Sequence, residues 1–504
     1  MRSRISAMAP GLLSAALSAP LSAALSAALL AACAASPQAP APSTPVATPG
    51  PQPAQPEAPA GPRAAAERPP LEFIEDDVPA ALARARDEGK VLFVDAWAPW
   101  CHTCLSMKHY VLTDPSLRPL ADRVVFAAID TDRPENAAFM ERYQISVWPT
   151  FFVIDPADGQ VVGLWTGAAS AAEVKEVLDQ GLLAMDDRAG AARPPNHPDR
   201  IFIEARRAHA AGDHAAAAAA YDRALAAGGP GWARRSDALY GELQALYGKK
   251  DHAACARFGR EHLGEVKGSA IPADFSSLLL ACARALPAEA KADAQAAREA
   301  AMKRLGTLTR EPPPEATPDD RADALGILAG ALKDAGDAAG AQAAQEARLA
   351  ILERAAREAK TPEAAATHDY ARAMTYLELG RGEEAVKMLV ERERQITTTY
   401  EPSARLAQVL HAMGREPEAL AAVDRALGKA YGPRRPRYLK LKAEIQGKLG
   451  DVQAQAATLR EEVAAYEGLA KGLRREEWIA DAKRRLGEAE KALGQQKDQK
   501  APKR

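Results

Sequence analysis

The sequence predicts an α/β domain followed by an all-α helical-repeat solenoid, and three observations carry that prediction. Between residues 71 and 187, apolar runs of strand length alternate with helical stretches. From about Arg200, glycine closes one apolar helix after another at intervals of 36, 44, 34 and 36 residues with one gap of 88, close to a 34-residue repeat period. Composition also changes near residue 190, with Trp97, Trp100, Trp148 and Trp165 before it and alanine-rich sequence after it. Hydrophobic residues make up 47% of the chain but aromatics only 5%, which favours helix-on-helix packing over large aromatic cores. A chain of 504 residues exceeds one ordinary core, and its net charge of -2 gives no electrostatic footprint for nucleic acid.

Residues 1–32 read as an export signal. Arg2 and Arg4 precede an uncharged stretch from Ile5 to Ala32, and Leu30-Ala31-Ala32-Cys33 matches the bacterial lipoprotein box, in which the cysteine is lipidated and becomes the mature N-terminus. An ordinary cleaved signal and a retained membrane helix are the alternatives. Lipidation of Cys33 would hold the protein on a membrane through its N-terminal lipid, on the periplasmic side where disulfides persist. By resemblance to other lipoproteins, Ala34 after the cysteine leans toward the outer membrane. Residues 33–70 form a proline-rich linker; at ~3.1 Å per residue in polyproline II, its 37 residues after the cysteine reach roughly 110 Å. A proline-recognition ligand is the alternative role.

The elements of residues 71–187 follow in order. Pro79 to Glu88 predicts a helix stopped by Gly89. Val91 to Ala96 predicts a strand, Leu105 to Val111 a helix, and Asp114-Pro115 opens a short helix. Val124 to Asp130 reads as a strand and Glu135 to Tyr143 as a helix. Strand Thr150 to Ile154 turns through Asp155-Pro156-Ala157-Asp158-Gly159 into strand Gln160 to Trp165, and helix Ala171 to Met185 closes the domain.

Where the strand meets the helix stands Asp95-Ala96-Trp97-Ala98-Pro99-Trp100-Cys101-His102-Thr103-Cys104, with Trp148-Pro149-Thr150 farther on. Two cysteines separated by two residues close a small disulfide or present one thiolate and one resolving thiol. Half a zinc site looks the same, but Cys33, Cys255 and Cys282 supply no second CxxC, and neither metal nor cofactor is expected. Cys101 falls at a helix N-terminus, where unpaired amides and the helix dipole stabilise a thiolate. Cys101, exposed, is expected to attack a substrate disulfide and Cys104, one turn deeper, to resolve it. Asp95, inside the strand, is expected to shuttle a proton to or from Cys104, with a strand-end acid satisfied by backbone as the alternative.

These residues resemble the thioredoxin family: the strand with its acid, the tryptophan before the first cysteine, the CxxC and the Pro149-Thr150 pair all fall in family order. The likeness extends to the C-terminal periplasmic domain of DsbD, where a segment like Tyr110-Val111-Leu112-Thr113-Asp114-Pro115 follows the CxxC helix. It covers roughly Leu71 to Asp187. It implies a cis Pro149 beside the dithiol and a substrate-binding border of Trp100, Trp148, Pro149 and Thr150. Three positions depart from relatives and bear on redox tuning. Phe126 stands where thioredoxin carries a lysine near the buried acid. Lys108 replaces an acid of DsbD-like domains and, at i+7 from Cys101, either favours its thiolate or is simply solvated. His102 takes a glycine's place, whereas the more oxidising members carry their histidine at the position of Thr103. These departures favour a reduced, thiolate-bearing state and a potential above thioredoxin's value of about -270 mV.

Residues 200–490 form the repeats. Gly212, Gly248, Gly336, Gly380, Gly414 and Gly450 each end an apolar helix, and alanine stands five residues after the first five: Ala217, Ala253, Ala341, Ala385 and Ala419. The last unit has Gln455 there and Ala456 next. A degenerate pair fits around Phe275 to Leu305, before a Pro-rich loop at Glu311 to Pro318. The small-residue pattern resembles the tetratricopeptide family, which implies a concave face for a peptide or protein ligand; a generic solenoid that only spaces the domain is the alternative. Cys255 and Cys282 fall on neighbouring helices and are expected to be buried free thiols, a stapling disulfide being the other possibility. Residues 491–504 are expected to form a disordered tail.

The sequence therefore points to an exported, membrane-anchored thiol-disulfide oxidoreductase acting on protein thiols and disulfides. Lacking an electron conduit of its own, it would depend on a redox partner protein. The rival reading is a scaffold lipoprotein whose thioredoxin-like domain binds clients without turning over.

Overall fold

The computed structural model describes residues 71–188 and 193–500. The export signal, Cys33 and the linker lie outside the described residues.

The α/β domain begins with a strand that sequence periodicity did not reveal, β1 (Phe73–Glu75), too short for any alternation to register. Then come α1 (Val78–Asp87), β2 (Val91–Trp97) and α2 (His102–Ser106), which continues as a π turn over Met107–Val111. A 3-10 segment at Pro115–Asp122 leads to β3 (Val124–Asp130), and α3 (Ala137–Arg142) follows. The hairpin β4 (Thr150–Ile154) and β5 (Val161–Thr166) and helix α4 (Ala171–Arg188) complete the domain. Strand order is β1-β3-β2-β4-β5, with β1, β3 and β2 parallel and β4 and β5 antiparallel. The unbroken apolar runs of β2 and β3 follow from helices covering both sheet faces. Phe93 sits centrally, its ring centroid 5.4 Å from those of both Phe126 and Phe151.

The repeats are α5 (Pro198–Ala210), α6 (His214–Gly228), α7 (Arg235–Gly248), α8 (His252–His262), α9 (Ile271–Ala285), α10 (Lys291–Arg310), α11 (Pro318–Asp334) and α12 (Ala338–Glu358). The short α13 (Pro362–Ala366) precedes α14 (Asp369–Glu378), α15 (Gly382–Gln395), α16 (Glu401–Ala412), α17 (Glu416–Leu427), α18 (Arg434–Lys448), α19 (Val452–Glu467) and α20 (Glu476–Lys500). Short turns fold successive helices back on one another, and stacking of the pairs buries their alanine faces. Helix α20 runs to Lys500, so the stretch expected to be a disordered tail from residue 491 is helical through most of its length.

Five of the six turn glycines take the left-handed conformation, but Gly248 does not; Lys250, φ 66°, takes that place. The turn therefore comes two residues later in this unit. Its small buried position is not Ala253, which is exposed, but Cys255, five residues after Lys250. In the last unit the buried residue is Ala456. The shift also aligns Cys255 with Cys282 across α8 and α9, and the two are joined as a disulfide with Cα atoms 5.9 Å apart, correcting the expectation of free thiols.

The array packs around the α/β domain and shares a continuous apolar core with it. Gln244 Nε2 donates to Thr166 Oγ1 at 2.9 Å, and Glu173 accepts from the Ser269 amide at 3.2 Å and hydroxyl at 2.8 Å. Farther along, Tyr110 donates to the Ala364 carbonyl at 3.3 Å. Gly432 and Gly472 approach the domain so closely that a Cβ on either would collide with the carbonyl of Asp132 or Ala137. Contacts thus span nearly the whole array.

Candidate functional site

Strand β2 carries Asp95 inward and then releases the chain through Trp97 and Pro99 to Cys101, the N-cap of α2. The Cys104 amide donates to Cys101 Sγ at 3.0 Å, satisfying one of the helix's unpaired donors. Cys101 and Cys104 are joined as a disulfide, with Cα atoms 5.2 Å apart. They pack with Ala98 under Trp97, Trp100 and Trp148. Cys101, expected to be exposed, is only 5% accessible, and Cys104 is fully buried.

The Trp148-Pro149 peptide is cis. Trp100 and Trp148 lie with ring centroids 5.3 Å apart; their indole N–H groups donate to Asp132 Oδ2 and Thr131 Oγ1, each at 2.8 Å. Thr150 is buried on β4, and its hydroxyl donates to the chain's own Val147 carbonyl at 2.6 Å. Thr103 is half-buried.

Asp95 is fully buried, and neither carboxylate oxygen has a hydrogen-bond partner among the described residues. Burial pushes its pKa up to about 7; Lys108 opposes the rise and Glu75 adds to it. Lys108 is placed differently from expectation. Its Nζ lies 3.7 Å over the Trp97 ring and 3.9 Å from Glu75 Oε1, and its charge acts on Asp95. Phe126 is buried against Phe73 and Phe93, and Lys108 returns from another element the positive charge that a lysine at that position would supply.

His102 is held by the repeat array. Its Nδ1 lies 3.1 Å from Asp319 Oδ2 and its Nε2 3.9 Å from Asp323 Oδ2, both on α11, while its ring stacks on Tyr370 of α14. Burial pulls its pKa down, but the Asp323 and Asp319 carboxylates outweigh that and push it up to about 9. Asp319 is correspondingly held below the usual carboxylate range against the cost of its own burial. The donor atoms of His102, Asp319 and Asp323 lie within 4.8 Å of one another, a metal-like spacing, yet the hydrogen bond between imidazole and Asp319 already satisfies two of them.

A second array contact covers Trp100. The Arg434 guanidinium lies 3.7 Å over its ring and 3.4 Å from Asp132 Oδ2, and Tyr431 donates to Asp130. Burial raises Asp130 to about 6, with the Tyr431 hydrogen bond opposing. Sequence reasoning missed Asp130, Asp132, Asp319, Asp323, Tyr370, Tyr431 and Arg434. The last five lie more than 200 residues from the CxxC, and nothing local ties them to it.

A family model described as a thioredoxin-like domain matches residues 78–182. Thiol:disulfide interchange protein DsbD of Pseudoalteromonas atlantica is 32% identical over 110 residues, covering 20% of this chain and 19% of that protein. Thioredoxin 1 of Synechococcus elongatus is 32% identical over 91 residues, covering 18% of this chain and 79% of that protein. The chain therefore spans about a fifth of the length of curated relatives such as DsbD, but most of the small one. A solved tetratricopeptide repeat protein from Parabacteroides merdae is similar at 12% identity with a TM-score of 0.37, covering 56% of this chain and 98% of that one.

Proposed function

Because the chain belongs to the thioredoxin family, we propose that it is an exported thiol-disulfide oxidoreductase acting on protein cysteines. The observation that carries this reading is the Cys101–Cys104 disulfide at the start of α2, on the strand-to-helix path that also holds an unpartnered buried acid, Asp95. In the reducing direction, the Cys101 thiolate attacks a substrate disulfide, forming a mixed disulfide and expelling one substrate thiolate. Asp95 accepts the Cys104 proton; Cys104 sulfur then attacks Cys101 sulfur, releasing the second substrate thiolate. The substrate gains two electrons, and the chain is left as the disulfide. The opposite direction reverses each step, and a redox partner protein restores the starting state.

Trp100, Trp148 and the cis Pro149 border the substrate in this reading, with Thr150 buried beside Pro149 at the start of β4. Lipidation at Cys33 would place the protein on the periplasmic side of a membrane. Among the described residues no helix is long and apolar enough to cross a membrane. Cys101 is 5% accessible beneath the domain's own Trp97, Trp100 and Trp148, and the array lies on Trp100 and His102 beside it, so this cover yields when a folded client reaches the sulfur.

That same burial favours a second reading, a scaffold whose dithiol is structural. Trapping separates the two. Full-length Cys104→Ser should accumulate mixed disulfides through Cys101 in cells, and their absence would leave the scaffold. The Cys33→Ser chain should lose membrane partitioning; soluble wild type beginning at another residue would remove the lipid anchor.

A further inference from the structure

The repeat array contributes charged groups to the dithiol site itself. We propose that Asp319, assisted by Asp323, is a positioning residue of the redox centre, holding His102 as an imidazolium beside Cys101 so that docking of the array sets the thiol-disulfide equilibrium. The inference rests on the oxidoreductase reading and adds a second participant to it.

His102 is the first residue of α2 and adjoins Cys101 in the chain. Asp319 faces its Nδ1 at 3.1 Å, and Asp323 faces its Nε2 at 3.9 Å. A neutral imidazole has one acceptor nitrogen, which would oppose carboxylate lone pairs; only the doubly protonated ring suits carboxylates on both sides. The other titratable and aromatic groups around this cluster are Arg348 of α12, 3.6 Å from Asp323, His368, 3.7 Å from Asp319, the Tyr370 ring, Tyr110, and the buried acids Asp320 of α11 and Asp274 of α9, which burial and the neighbouring carboxylates push toward their neutral forms. Asp319 is 2% exposed, so the pair is little weakened by solvent. The resulting cation adds to the positive field where α2 begins.

The imidazolium belongs to the residue next to Cys101 in the chain, at the start of α2, whereas Asp319 and Asp323 stand on α11 and meet the ring nitrogens. We take the cation as the dominant charge, which stabilises the Cys101 thiolate. A stabilised thiolate favours the dithiol over the disulfide. Removing the carboxylates discharges His102 and shifts the equilibrium toward disulfide. By thermodynamic reciprocity, reducing the dithiol tightens the docking of α11, and oxidising it loosens the same contact.

The test uses the full chain equilibrated with glutathione and scored by thiol alkylation. Asp319→Asn/Asp323→Asn should move the equilibrium about tenfold toward disulfide, equivalent to ~30 mV. In a His102→Asn background the same pair of changes should have no effect. Equal shifts in both backgrounds would mean that the aspartates act only through general packing, and no shift in either would equally overturn the proposal. Asp323→Asn alone, with a smaller shift of the same sign, serves if the double variant does not fold. Histidine NMR of the wild type gives an independent readout: the resonance lost in His102→Asn should titrate well above the ordinary 6.5 and fall in Asp319→Asn. An ordinary value in the wild type refutes the ion pair. Failure of Cys101 and Cys104 to equilibrate with glutathione would instead remove the oxidoreductase reading, while the His102 titration would still judge the pair.

Discussion

The chain holds two cysteine pairs in different surroundings. Cys255 and Cys282 are fully buried between α8 and α9 in a continuous apolar cluster, with Cys255 Sγ 3.8 Å from the Leu243 carbonyl. Cys101 and Cys104 are nearly as buried, but an imidazole held by carboxylates adjoins one, and Asp95 lies on the strand leading to them. Accessibility alone does not separate the pairs. What differs among the described residues is ionisable chemistry: Cys101 and Cys104 have groups able to stabilise a thiolate and move a proton, whereas Cys255 and Cys282 sit in apolar packing.

The largest expected effect tests that distinction directly. Cys101→Ala should abolish disulfide reduction in an insulin turbidity assay, while Cys255→Ala leaves turnover intact; loss of activity in both would merge the two pairs into one system. Next, Asp95→Asn should slow resolution of the mixed disulfide by roughly 10²-fold, the low end for a lost general base. In the wild type, single-turnover resolution should quicken as pH rises through about 7 and Asp95 ionises, and this inflection should vanish in the variant. Stability gives a second readout. Native Asp95 binds a proton that the unfolded chain has released between about pH 4 and 7, so wild-type stability falls with rising pH across that window and stays reduced above it. The asparagine variant should lack this fall, as thermal melts at pH 5 and 8 would show.

Removing the Cys255–Cys282 pair should act on stability alone. The disulfide spans a sequence separation of 27, for which loop-closure entropy predicts a loss of ~3–4 kcal/mol in Cys255→Ala/Cys282→Ala, measurable by denaturant unfolding with the glutathione equilibrium of Cys101 and Cys104 unchanged. A smaller effect concerns His102. Its folded pKa lies above its unfolded value, so its contribution is fully present below about pH 6.5 and is lost as pH rises through about 9. Melts over that range should flatten in His102→Asn relative to wild type. The smallest effect is that of Lys108→Met, which should move the resolution inflection upward by ~0.5–1 pH unit without changing the glutathione equilibrium in the manner of Asp319→Asn. With one charge interaction, from His102, stabilising the Cys101 thiolate, the potential should lie near roughly -240 mV.

The sequence by itself determined the α/β domain, its CxxC at a strand-to-helix junction and the helical repeats. These rest on local patterns: apolar runs in β2 and β3, glycine turns, and residues adjacent to one another in the chain. It also identified Asp95 as a buried acid, because an aspartate inside a continuous apolar strand has nowhere else to point. What only tertiary structure decided is each property that depends on charges or backbones brought together from distant positions. Lys108 turns to Trp97 and Glu75, the turn beside Lys250 moves Cys255 into register with Cys282, and Asp319 meets His102 from 217 residues away. Electrostatic pairing depends on distance in space, and helix periodicity carries no record of which solenoid face will meet which domain. The dithiol was therefore legible from its own ten residues, while the groups that surround it became visible only when the array closed on the domain.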